Sequence, residues 1–341
     1  MFELSREKLF LIAEIGANHD GDPAKAHRMI DLFADAGADA VKFQTYSTDV
    51  LVADVERPYT YGPPGRKTTE PIGEMFARLS LPRKAHRELF DHARERGVVP
   101  FTTLFDPGDV EFALGLGQEL FKISSGDVNY RQLLEAVAAV GRPVVISGGK
   151  CTIGELDRAI EVLERGSCPI GLMHCVAAYP TPIESANLRV LETYQRQYPD
   201  VVPGFSDHTV GITCSMGAVA LGARLIEKHV TYDRDAAGPD HWFSSNAEEF
   251  AAMVEATRDL LSALGSPRKR ILDTEEQGAK YGRRSIVAAR DLPEGHMLKP
   301  EDLAFLRPGT GIDPFDVDRV IGRKLMRAVA AGAPVEWSVL G

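Results

Sequence analysis

The stretch that decides the fold is LFLIAEIGANHDG, Leu9–Gly21, in which an apolar run of strand length leads into a polar turn. The segment that follows it, Asp22–Gly37, carries apolar residues at helical spacing. A buried strand followed by an amphipathic helix is the repeating unit of a parallel sheet, because parallel neighbours need a crossover connection. The opening of the chain therefore predicts an α/β protein.

The same unit recurs along the first part of the chain. Eight apolar runs are predicted as strands: Leu9–Gly16, Ala40–Tyr46, Val98–Phe105, Glu119–Asp127, Arg142–Lys150, Pro169–Tyr179, Val201–Thr209 and Arg224–Thr231. Helical patterns are predicted between them, including Asp22–Gly37, Pro82–Gly97, Gln132–Val140, Ile153–Arg165 and Asn246–Leu264. Strand–helix units in this number favour a closed (β/α)8 TIM barrel over an open doubly wound sheet. No Gly-x-Gly-x-x-Gly turn follows the first strand to suggest a dinucleotide site.

The chain changes character after Gly265. Ser266–Lys280 is polar and charged, which is typical of a linker, and short β-like runs with turns begin at Arg283. We therefore predict a barrel over residues 1–265, a linker over 266–282 and a small, mostly β domain over 283–341. So small a domain has a thin core, and we expect it to lean on another surface.

Composition narrows the classes of partner. The 341 residues carry 39 Lys and Arg against 49 Asp and Glu, a net charge of −10, which argues against nucleic acid as the main partner. We find no apolar run long enough to span a bilayer and no export signal, so we expect a cytoplasmic protein without a membrane partner. The four cysteines form no Cys-x-x-Cys pair, and reduced thiols are the simplest interpretation.

Polar residues collect where the predicted strands end, which is where (β/α)8 barrels carry their active sites. They are Glu14, Lys42, Gln44, Thr103, Lys122, Ser124, Ser125, Ser147, Ser206, Asp207, His208, Glu227 and His229. Residues two apart, such as Lys42 and Gln44 or Glu227 and His229, share one face of a strand. If that face lines the barrel, these groups converge at its mouth.

The two histidines in this set suggest a metal site. A single strand histidine is more often a satisfied core residue, but His208 and His229 end adjacent predicted strands with carboxylates nearby. We expect Asp207 and Glu227 to orient the imidazoles. A two-histidine site completed by water and substrate oxygens suits Mn²⁺, Co²⁺, Fe²⁺ or Zn²⁺. The other histidines are interpreted differently: we expect His19, His27, His86 and His92 on loops or helix surfaces, and His174, with Cys175, in strand packing.

Lys42 and Lys122 allow two interpretations. A lysine on a barrel strand can form a Schiff base, or it can serve as a cation for phosphate and carboxylate groups. Two lysines beside strand-end hydroxyls such as those of Thr103 and Ser147 favour an anion site. The turn SGGK, Ser147–Lys150, adds backbone N–H groups suited to phosphate, although an ordinary βα turn explains it equally well.

A set of motifs runs in order along nearly the whole chain. They are IAEIGANHDG (Ile12–Gly21), VKFQTY (Val41–Tyr46), FKISSGD (Phe121–Asp127), HCVAAYPTP (His174–Pro182), GFSDHT (Gly204–Thr209), EKHVT (Glu227–Thr231), GPDH (Gly238–His241) and LRPGTG (Leu306–Gly311). Together they resemble the sialic acid synthases, which make N-acetylneuraminate and related nonulosonic acids such as legionaminic and pseudaminic acid. The C-terminal segment resembles that family's antifreeze-like (SAF) domain. The resemblance implies that phosphoenolpyruvate condenses with an N-acylated sugar aldehyde, N-acetylmannosamine or an analogue, and that phosphate is released.

The resemblance also implies roles for particular residues. A divalent metal, usually Mn²⁺ with Co²⁺ or Mg²⁺ as alternatives, would be held by His208 and His229. Phosphoenolpyruvate would be bound by Lys42, Thr103, Lys122, Ser125, Ser147 and Ser206, and the sugar would be contacted by Gln44, Tyr179 and Asp240. Glu14 would stabilise the cationic carbon or handle the proton of the attacking water. Arg307 would be delivered by the SAF domain of one subunit to the active site of the other, in a domain-swapped homodimer.

Three residues depart from the usual family pattern. Ala177 stands where the family often has Asn or Ser, and Ser124 and Asp127 stand where Gly and Glu are common. These positions leave the sugar open. Three alternatives remain: a synthase of the deoxyoctulosonate-phosphate or deoxyheptulosonate-phosphate type, a Schiff-base aldolase that uses Lys122, and a non-catalytic sugar- or ice-binding protein.

Overall fold

The computed structural model describes residues 2–341, and the chain separates into two compact units with the boundary between Gly265 and Ser266. The strands are β1 (Phe10–Gly16), β2 (Ala40–Thr45), β3 (Pro58–Tyr61), β4 (Thr68–Pro71), β5 (Val99–Leu104), β6 (Phe121–Ile123), β7 (Val144–Ser147), β8 (Ile170–Cys175), β9 (Val202–Asp207), β10 (Leu225–His229), β11 (Ser285–Ala288) and β12 (Leu303–Leu306). The α-helices are α1 (Pro23–Asp35), α2 (Thr48–Leu51), α3 (Ile72–Leu79), α4 (His86–Glu95), α5 (Asp109–Gly115), α6 (Arg131–Ala138), α7 (Ile153–Arg165), α8 (Val190–Gln197), α9 (Thr213–Ala220), α10 (Ala247–Leu264), α11 (Glu276–Gly282) and α12 (Val317–Val320).

Parallel strands close a barrel in the first unit. Their order around it is β1-β10-β9-β8-β7-β6-β5-β2, so that β1 pairs with both β10 and β2. Each of the eight predicted strands contains one barrel strand, and the predicted (β/α)8 fold is confirmed.

Side-chain alternation explains where the polar groups lie. One buried cluster takes an apolar residue from each barrel strand or the residue just before it: Ile12, Ala40, Phe101, Leu120, Val145, Met173, Val202 and Leu225. Two residues further along, and therefore on the same face, most strands carry a polar side chain, as in Ile12 and Glu14. The apolar layer fills the barrel, and the polar layer above it lines the mouth at the carboxyl ends of the strands.

Helix α1 shows how local sequence sets the boundaries of an element. The Asp22 carboxylate accepts a hydrogen bond from Ala24 N at 2.8 Å, and Pro23 occupies the first helical position, where a missing N–H costs nothing. Beyond the last turn, Gly37 adopts φ +87°, a conformation that favours glycine. The helix buries Met29 and Phe33 in the apolar layer that also includes outward-facing strand residues.

One expectation of local structure is wrong. The strand expected over Glu119–Asp127 is shorter, because the Ser124 hydroxyl accepts a hydrogen bond from Gly126 N and caps a 3-10 turn. The polar, Pro- and Gly-rich segment Ser47–Ser80, for which no element was predicted, forms α2, the antiparallel hairpin β3–β4 and α3. A φ of +100° at Gly62 begins the turn of that hairpin.

The second unit is small and rich in short β segments, as predicted. β11 pairs antiparallel with β12, and further isolated bridges surround a small apolar core that includes Ile286, Leu325 and Val335. Helix α11 occupies the end of the segment that the sequence suggested as a linker. Across residues 2–341, no helix has the length and apolar character to cross a membrane, and all four cysteines are free.

A buried carboxylate ties three parts of this unit together. Asp302 accepts hydrogen bonds from the side chains of His296 and Arg290, each at 2.6 Å, and from Lys299 N at 3.0 Å. The hydrogen bond from His296 is the main cause that lowers the pKa of Asp302 to about 2. All of its donors are therefore provided by the unit itself.

Candidate active site at the barrel mouth

Lys42 lies at the centre of the polar layer. Its Nζ is 2.8 Å from Glu14 Oε2 and 3.7 Å from Glu227 Oε2, and it donates a hydrogen bond to Thr103 Oγ1 at 2.9 Å. Gln44, two residues along β2, donates to the other oxygen of Glu14 at 2.8 Å. These contacts join β1, β2, β5 and β10, so the convergence predicted from the two-residue spacing is present.

Burial and neighbouring charges shift the pKa values of the carboxyl and amino groups at the mouth. It raises the pKa of Glu14 to about 7, although the neighbouring Lys42 opposes the shift. Burial also acts to lower the pKa of Lys42, but the attraction of Glu14 and Glu227 outweighs it and the pKa is raised. For Lys122, by contrast, burial prevails and lowers the pKa. A carboxyl group that titrates near neutral pH beside a firmly charged lysine is suited to proton transfer.

A second group of donors surrounds Lys122. Its Nζ donates to Ser147 Oγ at 2.6 Å, and Thr103, the hydrogen-bond partner of Lys42, is the register neighbour of Lys122 across β5 and β6. Ser206 Oγ donates to Glu227 Oε1 at 3.0 Å, while the other oxygen of that buried carboxylate has no hydrogen-bond partner. Two lysines and several hydroxyls therefore lie together at the barrel mouth, as an anion site requires.

The two predicted metal-binding histidines are adjacent. The ring centroids of His208 and His229 are 5.1 Å apart. His208 Nδ1 lies 2.9 Å from the carbonyl oxygen of Val176, to which it donates, so its Nε2 lone pair is free for another group. Burial holds the pKa of His229 well below its ordinary value, and its buried Nδ1 lacks a hydrogen-bond partner, although Asp240 Oδ2 is 3.6 Å away.

The expected orienting partners of the histidines are wrong. Asp207 does not face His208; it forms an ion pair with Lys228 at 3.0 Å on the other side of the strands, because odd and even residues point to opposite faces. Glu227 bonds Ser206 instead of a histidine. A backbone carbonyl orients His208, an arrangement that residue type alone does not indicate.

The residues at the mouth fit a divalent metal. Two imidazoles, one with a free Nε2 lone pair and one with an unpartnered buried nitrogen, form a nitrogen donor pair of the kind that transition metals bind. Within residues 2–341, no group of three or more His, Cys, Asp or Glu side chains has metal-binding geometry. A metal held here would complete its shell with water or substrate oxygens and so retain positions for catalysis.

The predicted sugar-contacting residues border the histidines. The Tyr179 ring centroid lies 4.3 Å from that of His208, and burial raises the pKa of Asp240 to about 6. Ser125 Oγ accepts a hydrogen bond from Gly149 N at 3.0 Å and donates to Cys175 Sγ at 3.6 Å. The predicted site residues named above, Asp207 excepted, thus lie at one mouth. Arg307 lies in the second unit with an exposed side chain, and its role stays a prediction.

Sequence reasoning missed one member of the site: Cys175, expected only in strand packing, has its Sγ 3.8 Å from His208 Nδ1. His19 lies in the loop after β1, where a loop position was expected, but it is buried. The helix-surface placement expected for His86 is wrong, since this residue is also buried. The expectation for His174 is confirmed: it packs against Phe205 and bonds a backbone carbonyl.

The fold and this cluster define a class: (β/α)8 barrel proteins with a two-lysine, two-histidine site at the carboxyl ends of the strands. The chain belongs to the NeuB family, whose profile matches residues 29–269, and a SAF domain profile matches residues 283–340. The resemblance to the sialic acid synthases is therefore confirmed.

Individual relatives cover almost the whole chain. N,N'-diacetyllegionaminic acid synthase of Legionella pneumophila is 35% identical over 333 residues, which are 96% of this chain and 93% of that protein. N-acetylneuraminate-9-phosphate synthase of Homo sapiens is 36% identical over 324 residues, or 94% and 89% of the two chains. The crystal structure of N-acetylneuraminic acid synthetase from Leptospira borgpetersenii in complex with citrate is similar at a TM-score of 0.73 and 32% identity, covering 80% of this chain and 90% of that one.

Proposed function

We propose that this chain is a transferase, a nonulosonic acid synthase that joins phosphoenolpyruvate to an N-acylated sugar aldehyde and releases phosphate. The observation that carries the proposal is the convergence of Lys42 and Lys122, with their hydroxyl partners, beside His208 and His229. Phosphoenolpyruvate presents a phosphate and a carboxylate, and two buried cations with O–H donors are suited to both. The family membership and the names of the relatives support the same reaction class.

The proposed reaction forms one C–C bond and one C–O bond from water to C2, breaks the C–O bond to phosphate, and leaves the aldehyde oxygen as a hydroxyl after it takes a proton. The π electrons of phosphoenolpyruvate form a bond from its C3 to the aldehyde carbon, which leaves positive charge at C2. Water adds to C2, and the bridging oxygen then leaves with its electron pair as phosphate. The electrons balance without an oxidant or a reductant, so the site needs positioning, charge stabilisation and proton transfer.

Glu14 is the proposed proton acceptor for the attacking water. Its pKa of about 7 allows the carboxyl group to exist in both forms near neutral pH. Lys42 and Gln44 hold its two oxygens, so the group is oriented before the substrates bind. In its charged form Glu14 also stabilises the positive charge that develops at C2.

His208 and His229 are the proposed ligands of a divalent metal, with Mn²⁺ first and Co²⁺ or Mg²⁺ as alternatives. A cation bound there would supply Lewis-acid polarisation of the aldehyde oxygen. The chain's own contribution is to orient one imidazole and to favour the neutral form of the other: the Val176 carbonyl fixes His208, and burial lowers the pKa of His229. Gln44 and Tyr179 are the proposed contacts of the sugar.

Arg307 is proposed, on the family resemblance, to act in the site of a second subunit of a domain-swapped homodimer. An arginine fork is suited to the acyl oxygen and hydroxyls of a sugar. Mixing Arg307→Ala chains with His208→Ala chains tests this, because one site of each mixed dimer keeps both wild-type residues. Activity should return to about a quarter of the wild-type value after random mixing. Mixed dimers without recovery would exclude action between subunits.

Isotope tracing in H₂¹⁸O tests the reaction itself. Phosphoenolpyruvate is incubated with N-acetylmannosamine, its 2,4-diacetamido analogues or unacylated sugars. The proposal expects ¹⁸O on C2 of a new sugar acid and unlabelled oxygen in the released phosphate, because water attacks carbon. Labelled phosphate would indicate a phosphatase, and a lysine–pyruvate adduct trapped by borohydride would support the aldolase alternative. No turnover of any sugar would favour a binding protein.

A further inference from the structure

Two loops at the barrel mouth are joined by a buried network that the proposed reaction does not use. The loop after β1, Ala17–Asp22, carries Asp20, and the loop after β10, Val230–Asn246, carries His241. His241 Nε2 lies 3.1 Å from Asp20 Oδ1, with side chains that are 1% and 16% exposed. A side-chain contact this well buried between two loops is unlike the scattered surface pairs of the outer helices.

The second ring nitrogen of His241 is also engaged. Its Nδ1 lies 2.7 Å from Thr231 Oγ1, and that hydroxyl in turn donates to the carbonyl of Asp233 at 2.8 Å. With its proton directed at Asp233, the Thr231 oxygen accepts from His241 Nδ1. The imidazole is therefore held at both ends, by its own loop and by the loop after β1.

Asp20 is fixed as firmly as its partner. Its second oxygen accepts hydrogen bonds from Lys25 Nζ at 2.6 Å and from Tyr232 Oη at 2.7 Å. Burial alone would raise the pKa of Asp20, but the hydrogen bonds from His241, Lys25 and Tyr232 lower it far below its usual range. The backbone of Asp20 is in the left-handed region, with φ +54°, and the surrounding contacts maintain this conformation.

The network reaches the active site through one residue. Asp240 directly precedes His241, and its carbonyl accepts a hydrogen bond from Ser244 Oγ at 2.6 Å. Ser244 in turn accepts from Asn18 Nδ2 at 3.0 Å, which is a further bond between the two loops. Between these anchors, the Asp240 carboxylate is placed 3.6 Å from the otherwise unpartnered Nδ1 of His229.

We propose that His241 and Asp20 are positioning residues, whose contact holds the Val230–Asn246 loop on the loop after β1 and thereby fixes the Asp240 carboxylate beside His229. This inference rests on the proposed function, because it assigns the pair a role in orienting the sugar through Asp240. Neither His241 nor Asp20 touches the substrates.

The first test measures the loop without using activity. Hydrogen–deuterium exchange is compared for peptides covering residues 233–246 in wild type, His241→Asn, Asp20→Asn and the control His92→Asn. His92 is a matched control, because it contacts Asp31 at 3.0 Å between outer helices, away from the mouth. We expect faster exchange of the loop in His241→Asn and Asp20→Asn alone, with unchanged barrel strands. Wild-type protection of the loop in both would overturn the proposal.

The second test asks whether the pair acts through Asp240. His241→Asn should lower kcat/KM for the sugar by about 10- to 100-fold, with KM for phosphoenolpyruvate unchanged. In an Asp240→Ala background the same change should cost no more than about 3-fold, since the residue it positions is gone. An equal loss of kcat/KM in the wild-type and Asp240→Ala backgrounds would indicate general destabilisation and contradict the inference. Equal effects on the sugar and on phosphoenolpyruvate would do the same. An inactive wild type would refute the proposed function, while the exchange experiment would still decide the positioning role.

Discussion

Strand β10 separates two buried clusters of lysine and carboxylate, which differ in whether all of their polar atoms have hydrogen-bond partners. On the outer face, Lys228 pairs with Asp207 at 3.0 Å and also donates to the carbonyls of Thr209 and Gly211. Asp207 accepts further hydrogen bonds from Thr209 and Ser215, so every polar atom has a partner. The outer cluster is closed.

The inner cluster is left open. Glu227, the residue before Lys228, has one oxygen without a hydrogen-bond partner, and so does the Nδ1 of His229, the residue after it. Unmade hydrogen bonds in a buried place cost free energy, and a ligand can recover that cost. We infer from the comparison that the closed pair supports the fold, whereas the open cluster is where the proposed ligands would bind.

Breaking the closed cluster should have the largest effect. Lys228→Met leaves Asp207 as an uncompensated buried charge, so we expect a loss of about 3–5 kcal/mol in the free energy of unfolding of the barrel. Urea unfolding measures it, and the double variant with Asp207→Leu should regain much of the loss. A single variant as stable as the wild type would show that the outer pair does not support the fold.

Breaking the open cluster should affect binding more than stability. Lys122→Ala removes a cation whose partners are the hydroxyl of Ser147 and a backbone carbonyl, so we expect phosphoenolpyruvate to bind more weakly by about 1–3 kcal/mol. Titration calorimetry measures the affinity, with the exposed Lys150→Ala as the control. Equal affinities in the two variants would remove Lys122 from the proposed anion site.

A substitution at the edge of the open cluster should change specificity. Ala177 lacks the amide or hydroxyl group of the Asn or Ser that the family often has at this position. Because a hydrogen-bond partner for the sugar is then missing, we expect that N-acetylmannosamine is not the best substrate. Ala177→Asn should raise kcat/KM for N-acetylmannosamine, relative to kcat/KM for the analogues, by about 10-fold. If N-acetylmannosamine already exceeds every analogue in the wild type, this expectation is wrong.

The second unit contains another closed cluster, that of Asp302, and we expect its contribution to stability to depend on pH. Because hydrogen bonding lowers the pKa of Asp302 to about 2, its stabilising contribution is present above the unfolded value of about 4 and is lost as the pH falls from there to 2. Amide exchange of residues 285–340 in the full chain should show this loss, and Asp302→Asn should abolish the pH dependence. Unchanged dependence in that variant would assign the effect elsewhere.

The barrel and most of its site could be predicted because alternation in a strand is strict. Lys42 and Gln44, or Ser206 and His208, had to face the same way once their strands were recognised. The same rule explains the error at Asp207. This residue was expected to orient a histidine, but it lies between Ser206 and His208 in the strand and therefore points to the opposite, outer face. Long-range contacts were not predictable: the burial of His19 and the Val176 carbonyl at His208 depend on segments distant in sequence.

Phosphate release tests the central claim, that the open cluster condenses phosphoenolpyruvate with an N-acylated sugar, most directly. Purified protein is treated with a chelator, resupplied with Mn²⁺, Co²⁺, Mg²⁺ or no metal, and given phosphoenolpyruvate with and without the sugar panel. We expect release only when an N-acylated sugar and a divalent metal are both present, and none in His208→Ala. Release that persists without metal or without sugar, or that His208→Ala retains, would contradict the account.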